Sequence, residues 1–312
     1  MEPQSEAPSA PPGPRERKHP GMFHLFHRPA RNSAAEQQAY AKSLADAGAL
    51  RRARKQYNAL VHSWPNAPEA VMAQETYARL LEDDHQYLEA FDEYQYLIDH
   101  FAGRFVFAPI LERQFAIANH AMNRRRGAFL WFHGFSTRDA ALPLFEQIVK
   151  NAPNWERTPE SQFNIGAIHE QNGDHDLAVS AYEKVQFDYA DSALAVGAAF
   201  RRAFCLYRLA KDAPRDEVSL RQALSALASF LRDYASDANA PMAEQYRDEL
   251  SDRLAGMYYE RAVFYDRLAG RPESALIAYR DFIKRFPISK QAMEAGERVQ
   301  ELEQRLGESA AN

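Results

Sequence analysis

The 312-residue sequence has a single cysteine, Cys205, and no apolar run that approaches the ~18 residues of a membrane-spanning helix. One cysteine excludes an internal disulfide. Because Cys205 lies in a stretch with helical apolar spacing, it is expected to be a small buried core residue. The formal net charge is only −5, which predicts no strong attraction to nucleic acid or to an anionic membrane.

The sequence signatures of common enzymes are also missing. There is no Gly-rich phosphate loop, no G-x-S-x-G, no H-E-x-x-H and no Cys–His pairing signature. The histidines are scattered along the chain, and the carboxylates follow the polar faces of predicted helices. The sequence therefore predicts a protein that is not an enzyme, with no catalytic residues, no metal site and no cofactor.

The composition divides the chain into three parts. Residues 1–31 are rich in Pro, Ser, Glu and Arg and have too few apolar residues to pack, so they predict a disordered tether. They contain no apolar segment of the kind found in signal peptides. Residues 32–306 have helical spacing and predict one helical domain with halves 32–155 and 156–306, and residues 307–312 are expected to be a tail.

One three-point pattern recurs six times between these ends. It consists of an alanine, an apolar side chain four residues later and, in most copies, an aromatic residue seven residues after that. Positions 0, 4 and 11 of a helix lie within about 40° of one another, so they share one face. Neighbouring alanines are 37 to 52 residues apart (90 − 53 and 275 − 223). This is close to the period of about 34 of a tetratricopeptide repeat, with insertions in three units. The six alanines are Ala53, Ala90, Ala141, Ala178, Ala223 and Ala275.

Each of these helices follows another segment with helical spacing, so each unit is predicted to be a helical hairpin. A single hairpin cannot bury its apolar faces, whereas a stack of hairpins can. The predicted fold is therefore all-α: a right-handed α-solenoid of about six tetratricopeptide-type helical hairpins, with a capping helix from about Ser289 to Leu306. The first helices of the hairpins are expected at about 33–47, 67–82, 108–124, 158–172, 192–211 and 241–268.

An insertion between the two helices of the third hairpin carries a cluster of large apolar side chains, which soluble monomers rarely expose. Two interpretations are open. The loop either folds back into the gap that its own length creates, or docks on a partner protein or membrane surface. The candidate docking residues are Phe129, Leu130, Trp131, Phe132, Phe135, Arg138 and Asp139.

The first helices of the hairpins line the concave surface of such a solenoid. As a set, polar and aromatic side chains there predict a site for an extended peptide, because rings supply contact area and amides bind peptide groups. The alternative for each residue is ordinary packing between repeats. The candidate peptide-binding residues are Tyr40, Gln74, Tyr77, Arg113, Asn119 and Asn164.

The last two repeats resemble the BamD-type outer-membrane assembly lipoproteins of Gram-negative bacteria, and the similarity spans about residues 33–306. The third-hairpin insertion is similar to a Gly/Phe-rich loop followed by Arg-Asp in that family. The first repeat, ending at Trp64-Pro65, also fits the family. The residues that carry the resemblance in the last repeats are Arg253-Leu254-Ala255, Tyr258, Ala262, Phe264-Tyr265, Arg267, Ala275 and Phe286-Pro287.

The resemblance implies a non-enzymatic scaffold of the outer-membrane β-barrel assembly machinery, on the periplasmic face of the outer membrane. N-terminal repeats would bind the aromatic-ended C-terminal segments of unfolded barrel proteins, and C-terminal repeats would hold an assembly partner. Nucleic acid is not an expected partner. The candidate partner surface consists of Arg247, Arg253, Arg267 and Arg280.

This chain departs from the family in several ways. Members are tethered by a lipidated cysteine after a signal peptide, whereas Cys205 lies in a predicted helix; residues 1–31 resemble the spacer that follows such an anchor. Membrane contact is therefore expected to be peripheral or through that anchor. Members tend to have five repeats rather than six, and many have an arginine where this chain has Ala278. The alternatives are a periplasmic scaffold of another envelope complex, of the Tol-Pal or cell-division type, and a cytoplasmic adaptor.

Overall fold

The computed structural model describes residues 28–123 and 137–311. Within these ranges all regular structure is helical, with thirteen α-helices, one π-helical segment and no β-strand. The predicted all-α class is confirmed. The chain divides into two compact units, Met1–Asn151 and Ala152–Asn312.

The first unit is built from three helical hairpins. Its helices are α1 (Ala34–Asp46), α2 (Leu50–Ser63), α3 (Glu69–Asp83), α4 (Tyr87–His100), α5 (Phe107–Asn123) and α6 (Thr137–Asn151). They pair in chain order within each hairpin, and α2 packs on α3 as α4 packs on α5. Each hairpin thus covers the apolar face that its neighbour leaves open.

The second unit contains three more hairpins and a terminal helix. Its elements are α7 (Thr158–Asn172), α8 (His175–Asp188), α9 (Ala195–Asp212), α10 (Glu217–Asp233), α11 (Ala240–Val263), the π-helical segment Phe264–Leu268, α12 (Pro272–Arg285) and α13 (Ala292–Ala311). The last helix packs on α12 as the predicted cap. It continues to Ala311, so residues 307–311 of the expected tail are helical, because Glu and Ala are strong helix formers. All six first helices begin and end within three residues of the predicted bounds, counting the π-helical segment as part of the sixth.

The repeated alanine pattern marks the core of every hairpin. All six anchor alanines are completely buried. The side chain four residues after each alanine is buried in every case. The side chain seven residues after each alanine, which the sequence pattern did not include, is buried as well. Positions 0, 4 and 7 lie on one face, since four and seven residues correspond to about one and two turns. The buried residues at position 7 are Leu60, Leu97, Ile148, Val185, Phe230 and Phe282.

The residue eleven positions after the alanine ends the helix. Phe286 is the C-cap of α12; its N–H donates to the carbonyl of Phe282 at 2.8 Å. Its own carbonyl accepts from the N–H of Ser289 at 3.1 Å, and Ala292 donates to Ser289 at 3.1 Å. The same pair of bonds follows Tyr189 and Tyr234. Trp64 and Phe101 cap α2 and α4, but only Phe101 of these five side chains is buried. Position 11 therefore sets the connection between hairpins, and four of these five side chains are only partly buried.

Candidate functional site

None of the helices in the described ranges has the length and apolarity needed to span a membrane. Residues 28–123 and 137–311 also contain no group of three or more His, Cys, Asp or Glu side chains placed to hold a metal ion. Cys205 is buried, as predicted, and burial raises the pKa of its thiol to about 12. The thiol is therefore protonated at neutral pH and a poor nucleophile.

Gln74, a candidate peptide-binding residue, is only 1% exposed. Its Nε2 donates to the backbone carbonyl of Glu93 at 2.9 Å and to the Glu93 carboxylate at 2.8 Å. Two other hairpins have a buried glutamine at the same distance, 16 residues before the anchor alanine (53 − 37, 90 − 74 and 178 − 162). These amides also reach the backbone of the second helix: Gln37 donates to Gln56 at 3.0 Å, and Gln162 donates to Ala181 at 3.2 Å. Gln74 thus joins the helices of its own hairpin and exposes almost no surface to a peptide.

A second repeated contact joins three helices at a time. The hydroxyl of Tyr182 on α8 donates to Glu170 at 2.9 Å, and Arg201 on α9 donates to the same carboxylate at 2.9 Å. Burial of Tyr182, together with the nearby Glu170 charge, raises the pKa of the phenol. A buried hydroxyl whose partner is also ion-paired holds consecutive hairpins in one register.

Arg113, another candidate peptide-binding residue, belongs to the equivalent contact in the first unit. It donates to Glu82 at 3.0 Å, and Tyr94 donates to the same carboxylate at 2.8 Å. A third copy lies at the end of the second unit, where Asp266 accepts from Tyr279 at 3.4 Å and from Arg298 at 2.7 Å. The guanidinium of Arg113 is therefore already engaged in the junction between α3, α4 and α5.

The other candidate peptide-binding residues lie on separate first helices. Tyr40 on α1 is half-buried; the guanidinium of Arg31 lies 4.4 Å from its ring centroid, and Arg52 donates to its hydroxyl at 3.4 Å. Tyr77 on α3 and Asn119 on α5 are also half-buried. Asn164 lies in the second unit, on α7, and is half-buried as well.

The candidate docking loop falls almost wholly outside the described residues. Arg138 and Asp139 lie in the first turn of α6, where only the backbone is described. The residues of this prediction outside the described ranges are Phe129, Leu130, Trp131, Phe132 and Phe135.

The four candidate partner-binding arginines occupy different settings in the second unit. Arg253 is half-buried and donates to the carbonyl of Ala210 at 3.2 Å, which ties α11 to α9. Arg247, on the same helix, pairs with its neighbour Asp248 at 2.8 Å. The two lie six residues apart, which places them about 120° apart around α11.

The other two arginines are exposed on the sixth hairpin. Arg267 lies in the π-helical segment, and Arg280 on α12 pairs with Glu303 of α13 at 2.6 Å. These two side chains are therefore more accessible to a partner than Arg253.

A pocket that the sequence patterns did not indicate lies where α11 packs on α9. The rings of Tyr207 and Tyr246 stack there with centroids 4.2 Å apart and an interplanar angle of 18°. The ring of Phe204 lies 5.8 Å from that of Tyr246. These rings line an open pocket of about 390 Å³, which we call the tyrosine pocket; its lining is Phe204, Tyr207, Arg208, Lys211, Asp212 and Tyr246.

Counting residues from the end of the preceding hairpin explains where this pocket lies. Tyr207 is 18 residues after Tyr189, and Tyr246 is 12 residues after Tyr234. In the preceding junction the same two positions, counted from Ala152 and Tyr189, hold Glu170 and Arg201. At the α9–α11 junction the stacked pair of Tyr207 and Tyr246 therefore takes the place that the ion pair of Glu170 with Arg201 has at the α7–α9 junction. Counting from the helix ends instead of from the alanines would have shown this exchange in the sequence.

Stacked tetratricopeptide-type hairpins, with their inter-helical grooves, define a protein-interaction scaffold. The chain matches the model of the family described as YfiO, outer membrane lipoprotein, over residues 140–312. The match covers more than half of the chain, and this protein belongs to that family. The matched region includes the whole second unit, where the last two repeats lie, and leaves residues 1–139 outside.

Solved structures with tetratricopeptide repeats are also similar to this chain. The C-terminal part of a repeat protein from Cytophaga hutchinsonii is 16% identical with a TM-score of 0.33, over 88% of this chain and 92% of that one. A repeat protein from Parabacteroides merdae is 14% identical with a TM-score of 0.30, over 86% of this chain and 98% of that one. No curated protein matches the sequence.

Proposed function

We propose that this protein is a non-enzymatic scaffold of the outer-membrane β-barrel assembly machinery, on the periplasmic face of the outer membrane. The observation that carries the proposal is the match to an outer membrane lipoprotein family across residues 140–312. Stacked helical hairpins support protein partners, because they present extended surfaces rather than one enclosed cleft.

In this proposal the sixth hairpin holds the assembly partner. Arg267 and Arg280 are both exposed there. The pair between Arg280 and Glu303 is a surface ion pair, which contributes little to stability, so a carboxylate of a partner replaces Glu303 at small cost. Arg253 supports this surface indirectly through its bond to Ala210.

The first unit binds an extended segment of an unfolded barrel protein. Tyr40, Tyr77 and Asn119 are half-buried on successive first helices and supply rings and an amide to such a segment. Gln74 and Arg113 hold the hairpins that present them. The loop containing Trp131 and Phe132 forms a second contact with a partner protein.

Affinity purification tests the partner surface. The tagged protein is purified from detergent-solubilised membranes as wild type, as Arg267→Glu with Arg280→Glu, and as Arg232→Glu. Arg232 is the matched control, because it is an exposed arginine of the second unit outside the proposed surface. A β-barrel assembly protein should co-purify with the wild type and the control and be reduced with the double variant. Its absence from the wild-type sample refutes the proposed function.

A further inference from the structure

The tyrosine pocket occupies the place that an ion pair takes at two other junctions. At the α3–α5 and α7–α9 junctions, the two equivalent positions are closed by the ion pairs of Glu82 with Arg113 and of Glu170 with Arg201. At the α9–α11 junction the stacked rings leave an open pocket instead. The α9–α11 junction therefore has aromatic walls where these two junctions have an ion pair.

The walls of this pocket are fixed by contacts that do not involve a ligand. The hydroxyl of Tyr207 on α9 donates to Glu249 on α11 at 2.6 Å. Arg253 on α11 donates to the carbonyl of Ala210 on α9 at 3.2 Å. Because both helices are held in place, a ligand meets a preformed pocket and loses little free energy to ordering it.

The charges around the pocket balance. Lys211 pairs with Glu249 at 3.1 Å, and Arg208 and Asp212 lie one turn apart on α9 with opposite charges. The lining therefore does not select an anion or a cation. Its remaining recognition elements are the faces and edges of three aromatic rings, with cations beside them: the ammonium of Lys211 lies 5.3 Å from the ring centroid of Tyr207.

We propose that the tyrosine pocket binds an aromatic side chain, carried on an extended segment of a partner protein. A third ring extends the stacked pair of Tyr207 and Tyr246, and the cations of Arg208 and Lys211 favour an electron-rich ring face. The size is suitable, since a cavity of about 150 Å³ holds one benzene ring and this pocket offers about 390 Å³ for a ring and its backbone. The inference goes beyond the proposed function, because it assigns a binding site for an aromatic side chain to the α9–α11 junction of the second unit, whichever protein presents the ring.

Binding of short peptides to the full chain tests this inference. The probe is the acetylated and amidated peptide Gly-Ser-Phe-Ser-Gly, and the control peptide has Leu in place of Phe. Binding is followed by NMR chemical-shift changes in the isotope-labelled protein. The Phe peptide should bind about three- to ten-fold more tightly than the Leu peptide, since ring–ring contacts add to the burial that both side chains share.

Variants of Tyr246 assign the binding to this pocket. Tyr246→Phe keeps the ring and should keep the affinity, whereas Tyr246→Leu keeps apolar bulk and should weaken the Phe peptide about three- to ten-fold. Phe187→Ser, an exposed position on α8, is the matched control and should change nothing. Should Tyr246→Leu fail to fold, Arg208→Gln provides a second test and should weaken the same peptide. Equal binding of the two peptides, or no binding at millimolar concentration, overturns the inference and leaves the co-purification result for the proposed function unaffected.

Discussion

Replacing Gly166 with alanine should destabilise this protein, although the same change in most helices stabilises them. Gly166 lies in α7, directly against the ring of Tyr182. A Cβ atom added there meets the ring carbons Cε1 and Cδ1 at 2.7 and 2.8 Å, closer than real Cβ contacts come. The ring cannot easily move, because its hydroxyl is bonded to Glu170 at 2.9 Å and Phe163 packs against it in a T-shaped contact at 5.2 Å.

The two effects of this substitution have opposite signs. Alanine gains about 1 kcal/mol over glycine inside a helix. Overpacking a well-filled site costs about 2 kcal/mol. The expected result is a net loss of about 1 kcal/mol in the free energy of unfolding, from the difference between these two values.

Gly256→Ala is the matched control, because Gly256 lies inside α11 and an added Cβ meets nothing within 4 Å. It should stabilise by about 0.5–1 kcal/mol. Thermal unfolding followed by circular dichroism should place the two variants on opposite sides of the wild type, about 3–8 °C apart, at about 2–4 °C per kcal/mol. Adding Tyr182→Leu should remove the penalty of Gly166→Ala. If Gly166→Ala raises the melting temperature as Gly256→Ala does, the close packing of Tyr182 on α7 is refuted.

Three further predictions follow from the described contacts and the sequence. Gln74→Leu should lower the free energy of unfolding by about 1–2 kcal/mol in urea titrations, because the buried amide's two hydrogen bonds to the carbonyl and the carboxylate of Glu93 are lost; an unchanged midpoint argues against the amide link. The hydrogen bonds from Arg298 hold the pKa of Asp266 below its ordinary value. The stabilisation from this pair is therefore fully present above the pKa of an unfolded aspartate, which is about 3.9. It is lost as the pH falls through the lower pKa of Asp266 in the folded state. The difference in free energy of unfolding between wild type and Asp266→Asn should therefore stay constant above about pH 5 and shrink below about pH 4; a difference that grows in acid contradicts the pairing. Trp131→Ala combined with Phe132→Ala should reduce the amount of partner recovered by affinity purification without lowering the melting temperature, whereas unfolding of this variant indicates that the loop fills a gap in its own repeat.

The hairpin fold was predictable because its signal is repeated. Six alanines with apolar partners four residues later mark close helix–helix contacts, and all six are buried. The ends of the six first helices were predictable within three residues, since the residue eleven positions after each alanine and the polar connector after it recur. The burial at position 7 follows from the same helical geometry and needed only a longer template.

The polar contacts were harder to predict from single residues. Gln74 and Arg113 are residue types expected on a peptide-binding surface. In the structure they instead donate to Glu93 and Glu82 of neighbouring helices. Which of these side chains stays free depends on the register between hairpins, and periodicity alone does not specify that register. The tyrosine pocket shows the same limit, because Tyr207 and Tyr246 are 39 residues apart (246 − 207) and meet only when hairpins are aligned from their ends.

The proposed role in β-barrel assembly is tested most directly by depleting the protein in its native cells. Membranes from depleted and complemented cells are compared for folded outer-membrane β-barrel proteins, by their heat-modifiable mobility in gels. The account predicts that folded barrels fall and unfolded precursors accumulate on depletion, and that both recover with the wild-type chain but less with Arg267→Glu combined with Arg280→Glu. Normal levels of folded barrels in fully depleted cells contradict the account.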